Sequence, residues 1–156
     1  MARKTDKTMI KHLNTILRNE LTAINQYFLH SKILKNDGYS KLAEKEYEES
    51  IDEMKHASEL SERILFLGGL PNLQDMGKLS VGENPKEMLT ADHATEINAV
   101  EDLRAAYVYA EETKDFGTVE LLERILISEE SHMLWLEQQL KLMESMGMEN
   151  YLQSQV

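Results

Sequence analysis

Two short motifs carry the chemistry of this sequence: Glu53-Met54-Lys55-His56 and Glu129-Glu130-Ser131-His132. Each sets a carboxylate three residues before an imidazole. On a helix that spacing stacks the two side chains on one face, where together they can grip a single cation. One such pair is weak evidence in a chain with 21 glutamates, because a solvated pair is the ordinary explanation. The arrangement of the pairs says more. A constant shift of 76 residues carries Glu20 to Glu96, Glu53 to Glu129 and His56 to His132. Flanking residues repeat with it, Glu20-Leu21-Thr22-Ala23-Ile24 against Glu96-Ile97-Asn98-Ala99-Val100. The chain reads as a duplicated helical hairpin whose halves bring four carboxylates and two histidines to one level.

Charge then selects the ligand. Four carboxylates buried without counter-charge repel one another or stay partly protonated, at several kcal/mol per ion. Two divalent cations neutralise them, and neutral imidazoles complete the shells. One Glu from each of two helices plus a Glu-x-x-His from each of the other two is a recipe for dinuclear bundles. Oxygen-rich ligands with imidazole suit iron, manganese or zinc. By the usual geometry of such sites Glu53 and Glu129 bridge the metals, with Glu20 and His56 on one ion and Glu96 and His132 on the other. Tyr27 lies one stripe step beyond Glu20; its hydroxyl either serves a ligand or redox role or is satisfied in core packing.

Four long helices have to hold these residues. The apolar stripe Ile10, Leu13, Leu17, Glu20, Ile24, Tyr27, Ser31, Leu34 predicts a helix over about 6–36, ended by Asn36-Asp37-Gly38. Ser40 is placed to cap a second, carrying Leu42, Glu46, Glu49, Glu53, His56, Leu60, Ile64 and Leu67 up to Gly68-Gly69. Asn84-Pro85 starts a third, with Leu89, Glu96, Val100, Leu103 and Ala106 on one face, turning near Lys114-Asp115. The fourth, about 116–145, carries Leu122, Ile125, Glu129, His132, Leu136 and Met143, and Gly147 ends it. A short fifth helix fits Glu149 to Val156. Residues 68–84 have no helical period. A 28-residue helix is roughly 42 Å long, and 17 extended residues reach about 56 Å. The connection can therefore span the bundle and leave helices two and three parallel. Two hairpins joined by one long crossover is the ferritin-like arrangement, here an all-α single domain over 1–156.

Composition narrows the classes. The absence of cysteine excludes disulfides, thiolate zinc and iron–sulfur clusters. A net charge of −11 argues against nucleic-acid binding and agrees with a protein that attracts cations, or simply one with an acidic, solubilising surface. The start is basic then amphipathic, without a signal-peptide core, and no stretch could span a bilayer. A cytoplasmic protein is expected.

The segments Asn19-Glu20-Leu21, Ala23-Ile24-Asn25-Gln26-Tyr27-Phe28-Leu29-His30, Glu49-Ser50-Ile51-Asp52-Glu53-Met54-Lys55-His56-Ala57, Gly69-Leu70-Pro71-Asn72-Leu73-Gln74-Asp75 and Asn150-Tyr151-Leu152-Gln153 resemble bacterioferritin. The resemblance covers essentially the whole chain. It implies iron storage: a hollow shell of twenty-four subunits holding ferric mineral, each with a di-iron ferroxidase centre on the six residues above. It also implies haem b at a two-fold subunit interface, bound by Met54, which follows the bridging glutamate and turns about 100° away from the metal face. Ser50, Ala57 and Ser58 are small neighbours that leave room for a flat ligand. A ferredoxin partner is implied for reductive release. Whether the shell holds one subunit type or two stays open. One departure stands out. Glu48 occupies the place, just after Tyr47, where some bacterioferritins carry an inner-surface histidine.

Three rivals differ in specific residues. A haem-free ferritin differs at Met54. A substrate-oxidising di-iron enzyme needs a pocket and usually a longer chain. A merely structural bundle has apolar residues in place of Glu20, Glu53, Glu96 and Glu129. His12, His30 and His93 have no glutamate three residues before them and are read as structural or surface groups. Glu46 and Glu49 either line an iron path or face solvent near a helix end.

Overall fold

In the computed structural model, which describes residues 5–156, four long helices form the bundle: α1 Lys7–Asn36, α2 Ser40–Phe66, α3 Pro85–Glu112 and α4 Phe116–Met146, followed by the short α5 Met148–Gln153. No strand occurs among the described residues, and none of their helices is long and apolar enough to cross a membrane. The basic start, Met1 to Lys4, lies outside the described residues. The expected ferritin-like, all-α four-helix architecture is the observed one.

Local chemistry fixes the helix ends. Asp6 caps α1 by accepting the Thr8 and Met9 N–H groups at 3.0 Å each, satisfying donors that a helix start leaves free. Asn84 does the same for Glu87 N–H at the head of α3, with Pro85 in the first turn where its missing N–H costs nothing. Asp115 caps α4 through Thr118. Ser40 differs from expectation: it is the first residue of α2, Tyr39 stands at the cap, and no side chain caps that end. The α1–α2 turn runs through Gly38 at φ +94°, a left-handed conformation that costs glycine little.

The crossover is held in place by a polar stripe on α1. Asn14 binds Leu70 C=O at 3.3 Å and accepts from Asn72 N–H at 2.9 Å; Arg18 pairs with Asp75 at 3.1 Å. Thr22 accepts from Gly77 N–H, Gln26 from Ser80 N–H and His30 from Gly82 N–H, at 2.8, 3.0 and 3.1 Å. Every fourth residue of α1 meets a point farther along the connection, so the crossover runs in the same direction as α1. It delivers the chain to the far end of the bundle, where α3 begins parallel to α2. The helices pair α1 with α2, α3 with α4, α1 with α3 and α2 with α4, as two hairpins laid face to face require.

Two apolar clusters lie along the bundle. One gathers Leu13, Ile16, Leu17, Leu60, Ile64, Leu103, Ala106, Leu122 and Ile125. The other gathers Leu34, Leu42, Met88, Leu89, Leu136, Met143 and Tyr151. Tyr151 of α5 donates to Gln139 at 2.6 Å, closing the fifth helix onto α4. Between the clusters the buried residues turn polar.

Candidate metal centre

Each long helix contributes one glutamate to that polar level. Glu20, Glu53, Glu96 and Glu129 are all essentially buried, as is His132, with His56 beside them. The i, i+3 geometry acts as the spacing requires. His56 Nδ1 lies 3.6 Å from Glu53, 3.7 Å from Glu20 and 3.1 Å from Glu129. His132 Nδ1 lies 3.0 Å from Glu96. Glu20, Glu53, His56 and Glu129 each place one ligand atom within 4.8 Å of the others, a cage sized for one ion. All six residues singled out in the sequence meet in one place.

Their electrostatics ask for cations. Burial drives the Glu20 and Glu96 carboxyls above their ordinary range, the charge of Glu129 adding to the effect on Glu96. Burial, reinforced by the charge of Glu20, pushes Glu129 up to about 7. Burial opposes charging His56, but its bonds to Glu129 and Glu20 prevail and hold it up at about 10. His132 is raised in the same way by Glu96. Without metal the cluster satisfies itself with protons. No lysine or arginine pairs with any of the six among the described residues, and both Glu20 oxygens and Glu96 Oε2 have no hydrogen-bond donor. Unpartnered buried oxygens facing imidazole nitrogens fit a pair of divalent ions, and metal binding must displace the protons.

Three neighbours complete the surroundings. Tyr27 donates to Glu96 and meets the His132 ring edge-on at 5.2 Å; of its two sequence readings, the ligand-supporting one describes the contact. Glu49 is buried rather than solvent-facing. Its Oε2 is 3.5 Å from His132 Nδ1, and its Oε1 accepts from Lys45 at 2.8 Å. Glu46 is wholly buried. Asp92 escaped the sequence reading, although it sits one turn before Glu96 on the buried face of α3 and is 0% exposed. The signal was an acidic residue within an apolar stripe, the same signal that marked Glu96.

The remaining sequence candidates are scattered. Met54 points outward and is 53% exposed, and Glu48 is exposed. Of Met54's small neighbours, Ser50 and Ala57 are buried and only Ser58 is exposed beside it. His93 pairs with Glu137 at 2.9 Å, and His12 packs on Tyr109. His30 is buried against Asp92 and the crossover, a structural role.

The model of the ferritin-like domain family matches residues 10–146. Bacterioferritin BfrA of Mycobacterium tuberculosis is 45% identical over 146 residues, 94% of this chain and 92% of its own. Bacterioferritin of Streptomyces coelicolor is 44% identical over 147 residues, 94% and 88% of the two chains. That of Brucella melitensis is 41% identical over 148 residues, 95% and 92%. A four-helix bundle with one crossover, carrying paired Glu-x-x-His motifs and matching these proteins almost end to end, belongs to the bacterioferritin family of ferritin-like proteins.

Proposed function

We propose that this chain is an iron-storage subunit that oxidises ferrous iron with dioxygen or peroxide at its buried centre. The observation that carries the reading is the meeting of Glu20, Glu53, Glu96 and Glu129 with His56 and His132 in one buried cluster lacking basic counter-charge. Two ferrous ions are the substrate. Each gives up one electron; dioxygen accepts the pair with two protons and leaves as hydrogen peroxide. With peroxide as oxidant, two electrons and two protons yield two waters.

The chain's own groups have defined tasks. Glu53 and Glu129, from facing helices, reach both ions. Glu20 with His56, and Glu96 with His132, complete each shell. Anionic oxygens favour the ferric charge over the ferrous and so draw the reaction forward. Protons held by Glu129 and His56 in the metal-free centre leave as the ions enter. Tyr27 holds Glu96 in orientation through its hydroxyl, a partner outside the coordination shell that fixes a ligand.

Storage of the ferric product requires a cavity, which a single bundle does not have; the reading therefore includes a hollow homo-oligomer, of twenty-four subunits by family likeness, in the cytoplasm. Large apolar side chains left exposed, among them Phe28, Leu70, Phe116 and Ile127, are what subunit contacts would cover. The outward Met54 thioether is placed to ligate haem b across a two-fold contact, where the haem would carry electrons inward from a ferredoxin-type partner to release iron.

The test is anaerobic addition of ferrous iron to metal-free protein, then oxygen, following near-ultraviolet ferric absorbance. Beside it runs the triple variant Glu53→Ala, His56→Ala, Glu129→Ala. Fast oxidation of two irons per chain, lost in the variant, is expected. Equal slow rates in both would leave a structural bundle. Haem is read separately, by Soret absorbance lost in Met54→Leu.

A further inference from the structure

A second buried polar group lies beyond the metal centre, toward the α3 end of the crossover. It consists of His30 on α1, Glu46 on α2 and Asp92 on α3, each 0% exposed. Gln26 Nε2 and His30 Nδ1 both reach Asp92 Oδ1, at 2.8 and 2.9 Å. His30 Nε2 accepts from Gly82 N–H at 3.1 Å, so the ring's proton is on Nδ1 and is donated to Asp92. One oxygen of Asp92 is thereby saturated and its carboxylate fixed in orientation. The other, Oδ2, has no donor.

Glu46 faces it in the same condition. Neither Glu46 oxygen has a hydrogen-bond donor, although the side chain is wholly enclosed. Burial, with the charge of Asp92, raises the Glu46 carboxyl well above its ordinary range. One ligand atom from each of His30, Glu46 and Asp92 lies within 4.8 Å of the others, the span of oxygens bound to one ion at about 2.1–2.5 Å.

The internal duplication shows that this chemistry is not imposed by the fold. The shift of 76 residues that relates the two hairpins carries His30 to Ala106, Glu46 to Leu122 and Ile16 to Asp92. Ala106, Leu122 and Ile16 all sit in an apolar core cluster. The equivalent position in the other half of the bundle is thus packed with hydrocarbon, while here two carboxylates are enclosed against a cost of several kcal/mol per ion.

We propose that Glu46 and Asp92 form a third cation site, an oxygen-donor site for a divalent ion, with His30 and Gln26 orienting Asp92 from behind. Two carboxylates match a 2+ charge, and three free oxygens without a free imidazole suit a hard ion such as ferrous iron, manganese(II) or magnesium. A route to it exists along α2. Glu53, Glu49 and Glu46 succeed one another at helical spacing on the buried face, and Glu49 with Glu53 and His132 makes a further cluster within 4.8 Å. The site stands whether or not the protein oxidises iron, because its occupancy is measured without oxidant.

The experiment uses crystals of the assembled protein, stripped of metal and soaked with manganese(II) under nitrogen. Anomalous diffraction is recorded above and below the manganese edge. Three peaks per chain are expected, two at the Glu53–Glu129 level and one between Glu46 and Asp92. Glu46→Gln and Asp92→Asn, each close to isosteric, should keep the first two and lose the third. Two peaks in the wild type, with the Glu46 and Asp92 oxygens at hydrogen-bonding distance, would mean a shared proton and overturn the site. A third peak on Glu49 alone would overturn it as well. The wild-type soak decides the matter even if a variant does not fold.

Discussion

The two ends of the metal centre descend from one repeated hairpin, yet their surroundings are opposite. On the side of Glu20 and His56, the next layer is hydrocarbon: Ile16, Leu103, Ala106, Leu122 and Ile125. On the side of Glu96 and His132, the corresponding positions hold Asp92, Tyr27, His30, Glu46 and Glu49, all buried. The histidines follow the asymmetry. The side chain of His56 is 12% exposed and contacts only ligand carboxylates, whereas that of His132 is 1% exposed and flanked by Tyr27, Glu49 and Trp135. Duplication supplied two equivalent metal positions, and later substitution in one half gave only one of them a polar hinterland. Stability resides in the apolar half; the layered carboxylates that can receive and pass cations reside in the polar one.

The most severe way to break the comparison is to remove what both ends share. Glu129→Ala takes away a bridging carboxylate, and the fast phase of ferrous oxidation should vanish, not merely slow. A variant limited to one end, His56→Ala or His132→Ala, should retain binding of a single ion, countable by manganese(II) titration. Oxidation at the wild-type rate in Glu129→Ala would refute the shared-ligand geometry.

Next in size is the response of metal-free protein to pH. Glu129 is raised to about 7 and His56 to about 10. In both cases the folded state holds a proton that the unfolded chain has released, so stability falls as pH rises. For Glu129 the loss spans the range from its unfolded value, 4.5, to about 7; for His56 it spans 6.5 to about 10. Together they predict that metal-free protein loses about 3 kcal/mol between pH 5 and pH 9, a coupled-site figure from 1.36 kcal/mol per shifted unit. Two divalent ions per chain should largely remove the slope, since metal then supplies the positive charge. Denaturant midpoints at several pH values, with and without manganese(II), give the answer. A metal-free midpoint that rises with pH would contradict the protonated centre.

The contrast between the halves also explains what could be read from sequence. The six ligands were legible because each is a charged residue in an apolar stripe and each has an echo 76 residues away. The crossover's direction was legible only as a length, sufficient to span the bundle. Its attachment rests on Asn14, Arg18, Thr22, Gln26 and His30, a polar row spaced by four that a search for apolar periodicity passes over. Asp92 was missed for the complementary reason: its counterpart is Ile16, so repetition gave no echo. Glu46 and Glu49 were seen, but whether they face solvent or core depends on helix rotation and neighbours. Met54 was legible by likeness, and its exposure leaves its partner to the assembly.

A gentler perturbation makes the polar half resemble the apolar one. Glu46→Leu installs the residue that occupies the equivalent position, Leu122. In metal-free protein it should stabilise the fold by about 2 kcal/mol, because hydrocarbon replaces a buried carboxyl without a donor. With saturating manganese(II) the advantage should shrink or reverse, since the wild type gains an ion that the variant cannot hold. Denaturant midpoints in the two conditions decide. A variant less stable than wild type without metal would mean that the carboxyl is held by a partner that outweighs its burial.

The smallest effect separates the two metal positions themselves. Tyr27 donates to Glu96, and its counterpart beside Glu20 is Leu103, which has no donor to offer. Tyr27→Phe keeps the ring against His132 and deletes only the hydroxyl. Metal-free stability should drop by about 1 kcal/mol, the worth of one buried hydrogen bond. Loss of that orienting bond should weaken only the Glu96–His132 position. At less than one manganese(II) per chain, anomalous occupancy should therefore shift toward Glu20 and His56 in the variant. An unchanged distribution would show that the phenol packs beside the centre without orienting its ligand, and that the polar half acts through its carboxylates alone.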